Sequence, residues 1–162
     1  MNKILLLGVC SLLAVGCQAP DSADATAQPE AADRQAVTAE INAEADRMLD
    51  AWSSLESQPY LDLYTEDVTW LYEGASIDRP TFEGMVRDYM AGHTRAEWEW
   101  TERDVQVLGP EAAVFSGVWT LVQTDTAGVE VEDAGAITLV YELRNGEWKV
   151  VHAHESLSGD EL

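Results

Sequence analysis

Between Arg95 and Leu157 the chain reads as four long runs of alternating side chains, each cut from the next by a turn signal. In the first, Arg95 to Leu108, Trp98 and Trp100 share one parity and Glu97 and Glu99 the other, and Gly109-Pro110 ends the run. The second, Ala112 to Thr124, carries Phe115 and Trp119 and stops at Thr126-Ala127-Gly128. The third, Val129 to Leu143, sets Ile137, Leu139 and Tyr141 against Thr138, Val140 and Glu142. Asn145-Gly146 follows, a two-residue hairpin signal because both residues tolerate positive φ. Glu147 to Leu157 is the last run. A period of two places successive side chains on opposite faces of a sheet, and short turns make neighbours antiparallel. The second half of the chain therefore demands a meander of long strands, one face of which must be covered.

The first half supplies the cover. Val37, Ile41, Ala45, Met48, Leu49, Trp52 and Leu55 recur at three- and four-residue steps, a helix stripe over about 35–56. Ser57-Gln58-Pro59 stops it and leads to a short second helix from Tyr60 to Thr65. Val68 to Tyr72 is β-rich and closes at Glu73-Gly74. A third helix follows Pro80, with Phe82, Met85, Val86, Tyr89 and Met90 on its apolar face and Gly92 as its stop. The expected class is α+β, with three N-terminal helices packed on a curved antiparallel β-sheet.

Residues 1–16 read as an export signal. Lys3 precedes an apolar run from Ile4 to Val15, shorter than the ~20 residues that span a bilayer as a helix. Ala14-Val15-Gly16-Cys17 resembles a bacterial lipobox, which makes Cys17 the expected lipidation site. Residues 17–34 contain no large apolar side chain and are expected to form a flexible acidic tether. The domain spans 35–162. These features place the protein in the bacterial cell envelope, held by an N-terminal lipid, and Gln18 favours the outer membrane of a Gram-negative cell.

Charge and cysteine count remove several function classes. The 162 residues hold 9 Lys and Arg against 30 Asp and Glu, a net charge of −21. That balance opposes a nucleic acid, whose phosphates need a basic face, and restricts membrane contact to the lipid. Both cysteines, at 10 and 17, precede the domain, so it has no disulfide, Cys-ligated zinc or Cys nucleophile. His152-x-His154 lacks a companion motif supplying a third ligand, and neither a metal nor a cofactor is expected.

The order of elements and the closing run Gly146-Glu147-Trp148-Lys149-Val150-Val151-His152-Ala153-His154-Glu155-Ser156 resemble the nuclear transport factor 2-like (NTF2-like) superfamily. The nearest branches are the SnoaL-like proteins and the calcium/calmodulin-dependent kinase II association domain. Tyr64-x-x-Asp67 and Glu83-Gly84 add weaker agreement. The resemblance covers about 35–158 and implies a sheet curled into a cone with a pocket under the helices. It also implies pairing into a homodimer through the outer sheet face. Its association-domain branch places an Arg, used toward anions, where this chain has Glu155.

Within that frame, Tyr64, Trp70, Tyr72, Trp119 and His154 are the expected ligand-binding residues. Strand parity counted from Trp148 and Val150 puts His152 and His154 on their face. An imidazole there can move a proton near neutral pH. A base for isomerase or cyclase chemistry must be a buried carboxylate. The candidates are Asp62, Asp67, Glu73, Glu83 and Glu99, with His154, Asp62 and Tyr64 as the foremost catalytic candidates. Two functions stay open. One is a membrane-anchored domain binding a small, largely apolar ligand. The other is a cofactor-free SnoaL-like isomerase, cyclase or dehydratase acting on an apolar carbonyl compound. The plain alternative, that most of the aromatics are core and the histidines satisfied within the sheet, stands beside both.

Overall fold

The computed structural model describes residues 30–158. The expected signal segment, Cys17 and most of the tether therefore lie outside the described residues. The elements run α1 (Ala31–Ser53), α2 (Ser57–Leu61), β1 (Tyr64–Tyr72), β2 (Ala75–Ile77), α3 (Arg79–Gly92), β3 (His93–Gly109), β4 (Ala112–Asp125), β5 (Glu130–Arg144) and β6 (Glu147–Leu157). The six strands form one sheet in the order β2-β1-β6-β5-β4-β3. The meander of β3 to β6 is antiparallel throughout. β1 joins the far side of β6 in parallel, so the sheet is mixed at that edge rather than wholly antiparallel.

Local chemistry explains most element ends. The Asp78 side chain accepts the Thr81 N–H at 2.9 Å, and Pro80 occupies the first turn of α3, where no N–H is missed. α1 stops where Leu55 takes a φ of 55°. α2 begins at Ser57, earlier than expected, because Pro59 sits in a first turn that tolerates it. The chain then enters β1 at Tyr64, which the sequence reading assigned to helix. β2 was not expected. Glu73 and Gly74 both adopt positive φ, 48° and 79°, and fold β1 back into a short hairpin. Asn145 and Gly146, at 56° and 84°, do the same between β5 and β6.

The concave face of the sheet is the core face. Along β4 and β5 the odd-numbered residues point inward, among them Phe115, Trp119, Ile137, Leu139 and Tyr141. Ile41, Ala45 and Met48 of α1 have no exposed surface and cover one end of that face. Two indoles pin the helix there: Trp148 Nε1 donates to Glu40 at 2.7 Å, and Trp100 Nε1 donates to the Ala45 carbonyl at 3.3 Å. Arg79 fastens α3, donating to the carbonyls of Leu61 at 3.2 Å and Thr65 at 3.0 Å while pairing with Glu83.

β6 departs from strict alternation. Tyr141 pairs with Val150, but its neighbour Val140 pairs with His152, so Val151 is one residue too many. Beyond this bulge the inward positions are Ala153 and Glu155, both buried, while His154 is exposed. Parity counted from Trp148 put the two histidines inward, and the bulge reverses that. The same parity would set Ala153 and Leu157 on the outer face; the bulge turns them inward, and the outer face draws its apolar character from β4 and β5. Val118, on that face, is 42% exposed.

Candidate functional site

A cavity of about 340 Å³ opens between α3 and the concave face of the sheet. Trp52 comes from the end of α1, Met85, Val86 and Tyr89 from α3, and Trp70 and Tyr72 from β1. His93, Trp119, Leu121 and Gln123 line the sheet side, and Asp133, Glu155 and Leu157 complete the wall. The size and the aromatic lining suit a small organic molecule.

The aromatic rings are held by one another. Trp52 lies 4.5 Å from Tyr89, and Tyr89 stacks on His93 at 4.1 Å. Trp70 lies 5.4 Å from Tyr72 and meets Phe82 edge-on at 4.3 Å. The indole N–H groups of Trp70 and Trp119 are buried without an acceptor. A polar relay crosses the opposite side: Tyr89 donates its hydroxyl proton to Gln123, whose amide donates to Asp133. His93 Nδ1 lies 2.7 Å from the Tyr89 carbonyl oxygen. Burial pushes the Tyr89 hydroxyl up to about 12, with Asp133 adding to the shift.

Glu155 is the chemical centre of the wall. It is 9% exposed, and among the described residues no donor reaches its carboxylate. Burial pushes its carboxyl up from the ordinary glutamate value of 4.5 to about 7, and the nearby Glu73 carboxylate adds to the shift. Among the described residues no Lys or Arg lines the cavity. Arg79 is spent on carbonyls and Glu83, Arg87 on Glu83, Arg95 on Glu97 and Glu130, and Arg103 on Asp46.

The residues singled out from the sequence fall into two groups. Trp70, Tyr72 and Trp119 line the cavity. Tyr64 lies behind it, its hydroxyl donating to Tyr60 at 2.7 Å and its ring against Phe82 at 4.8 Å. Asp62 is exposed and accepts from the Gln58 amide. Asp67 pairs with Arg144, Glu83 with Arg79 and Arg87, and Glu99 faces solvent. Glu73 is exposed and accepts the Leu157 N–H at 2.7 Å. His154 is on the convex face, for the reason given above. The cavity carboxylates are instead Glu155 and Asp133, neither among the five candidates. A signal for Glu155 was present: adjacent residues of a strand cannot both face the cone, and an Arg used toward ligands at this position implied that His154 does not. Among the described residues no cluster of metal-binding side chains occurs, and no helix is long and apolar enough to cross a membrane.

The family description "calcium/calmodulin dependent protein kinase II association domain" matches residues 37–159. A Xanthomonas campestris structure described by the same association-domain name is 25% identical, with a TM-score of 0.67 over 75% of this chain and 87% of that one. The association domain of C. elegans CaMKII is 22% identical, with a TM-score of 0.63 over 77% and 98%. A structure described as a scytalone dehydratase from Novosphingobium aromaticivorans is 10% identical, with a TM-score of 0.72 over 79% and 88%. The fold is that of the NTF2-like superfamily. No curated protein matches the chain.

Proposed function

The chain belongs to the calcium/calmodulin dependent protein kinase II association domain family, and we propose that this member uses its cone to bind a small, largely apolar ligand. The supporting observation is a cavity of about 340 Å³ walled by Trp52, Trp70, Tyr72, Tyr89 and Trp119. Core packing does not require such a void, since interiors are otherwise filled to crystal-like density. The domain is displayed from the bacterial envelope on a lipid at Cys17. Labelled palmitate should enter the wild type and not Cys17→Ser; equal labelling of both removes the anchor from this reading.

Met85 stands at the cavity mouth and is 36% exposed. Met85→Trp places an indole across the opening without disturbing buried side chains. A calorimetric screen of apolar small molecules should give hits on wild type that weaken at least tenfold in the variant. Hits unaffected by Met85→Trp would locate binding elsewhere.

A second reading is favoured by one observation, the unpartnered Glu155 carboxyl with its pKa near neutrality. Such a group can take a proton from the carbon beside a carbonyl, leaving an enolate, and return it at another carbon. In this reading the protein is a cofactor-free SnoaL-like enzyme. The test is deuterium uptake from heavy water into neutral ketones. Exchange that Glu155→Gln abolishes supports catalysis, and no exchange above the buffer rate removes it.

A further inference from the structure

We propose that the cone selects an organic ammonium ion, seated among Trp70, Tyr72, Tyr89 and Trp119 with the Glu155 carboxylate as its counter-ion. The inference rests on the pocket reading above and adds the charge of the ligand. Three independent features of the cavity point to it.

The first is an imbalance that the protein does not correct. A buried carboxylate ordinarily has a cation or several donors beside it. Among the described residues Glu155 has neither, and the charged groups near it, Glu73 from the β1–β2 turn and Asp133 from β5, are also acidic. Every arginine that could approach is engaged elsewhere. A positive charge at this position must therefore come with the ligand.

The second is the nature of the walls. The π faces of Trp and Tyr carry partial negative charge and attract ammonium groups within about 6 Å. Such rings also replace the hydration of an alkylated ammonium better than they replace that of an anion, which needs donors. Among the described residues, the buried wall donors without an acceptor are the indole N–H groups of Trp52, Trp70 and Trp119.

The third is the field of the whole domain. Residues 35–162 carry 26 acidic against 7 basic side chains. A cleft in a body of this sign concentrates cations and repels anions on approach.

The experiment uses three probes of like shape and different charge on the full chain: phenyltrimethylammonium, tert-butylbenzene and benzenesulfonate. Calorimetry should show the ammonium probe binding at least tenfold more tightly than the neutral one, and the sulfonate not at all. Glu155→Gln should remove most of that preference while leaving tert-butylbenzene bound. Tyr89→Leu, which keeps the carboxylate, should weaken the ammonium probe more than the neutral one. The ammonium ion does not titrate, so its affinity should rise between pH 6 and 8 as Glu155 ionises. Tyr72 of β1, Tyr60 of α2, Tyr64 and Tyr89 stay neutral in that range. His93 lines the same cavity, so the titration is repeated in His93→Gln, where the rise should persist. Binding of tert-butylbenzene with no preference for the cation overturns the ammonium site and leaves the apolar pocket standing. Failure of all three probes and of every apolar compound screened overturns both.

Discussion

At Glu155, folding places a carboxyl group where its charged form is disfavoured, and that has a signature in stability. The folded pKa, about 7, lies above the ordinary 4.5. Between these values the folded chain holds a proton that the unfolded chain has released. The group therefore penalises folding progressively as pH rises from 4.5 to 7, and by a constant amount above that. A shift of this size corresponds to roughly 3 kcal/mol at full ionisation. Glu155→Gln retains the shape and removes the charge. It should raise the melting temperature at pH 8, and the gain should shrink to nothing near pH 4.5. An equal gain at both pH values, or none at pH 8, would show that the carboxyl titrates normally. The exposed carboxylates paired with arginine, such as Glu97 with Arg95, shift the other way, and the comparison cancels them because both proteins carry them.

At the scale of the element, β5 is shaped around one ring. Gly135 pairs with Trp119 across the ladder and with Leu157 on its other side. A Cβ at Gly135 would lie 2.4 Å from the Ser156 carbonyl oxygen and 2.5 Å from the Trp119 indole. Neither distance is attainable, and the carbonyl cannot move without breaking its strand. Gly135→Ala should destabilise the domain by about 1–3 kcal/mol, measured by chemical denaturation, and should weaken any cavity ligand as Trp119 is displaced. A neutral effect on both would mean that the β5–β6 ladder is looser at this point than its geometry says.

The meander, the helix stripe and the Asn145-Gly146 hairpin were legible because each rests on a local rule: alternation, a 3.6-residue period, or a turn that needs positive φ. The face of Glu155 was not legible from alternation. One extra residue at Val151 reverses parity, and a bulge is fixed by two partner strands at once, β5 on one side and β1 on the other. The β1–β2 hairpin was missed for a related reason, since three residues are too few to show a period. Trp70, Tyr72 and Trp119 could be named from aromatic content, but nothing in their spacing separates lining from core. Tyr64, chosen on the same ground, is sealed behind Phe82.

At the scale of the whole molecule, charge and shape act in opposite directions. The convex face presents Val118, 42% exposed, with Val114, Val122, Ala136 and Val140 of the same parity beside it. β3 borders this strip with Glu97, Glu99, Glu102 and Asp104. We propose that a second copy covers the strip, as the association family and the apolar strip both suggest. Two bodies of net charge −21 repel at long range, and salt screens that repulsion over about 8–10 Å near physiological strength. The dimer should therefore tighten as salt rises. Sedimentation of the full chain at 20 and 300 mM salt should show the dimer fraction increasing, and Val118→Glu should abolish it. A monomer at every salt concentration would refute the pairing.

Two of the rings that wall the cavity, Trp52 and Trp119, also belong to a line of coupled chromophores. Trp52 lies 5.7 Å from Trp98, which lies 5.2 Å from Trp100 and 5.8 Å from Trp119. At such separations the electronic transitions of neighbouring indoles mix, and the near-ultraviolet circular dichroism belongs to the set rather than to any one ring. Trp52 and Trp119 touch the cavity, whereas Trp98 is buried behind them. Anything that enters the cone must disturb one end of this array, so the fold carries an optical reporter of its own occupancy, readable without a label.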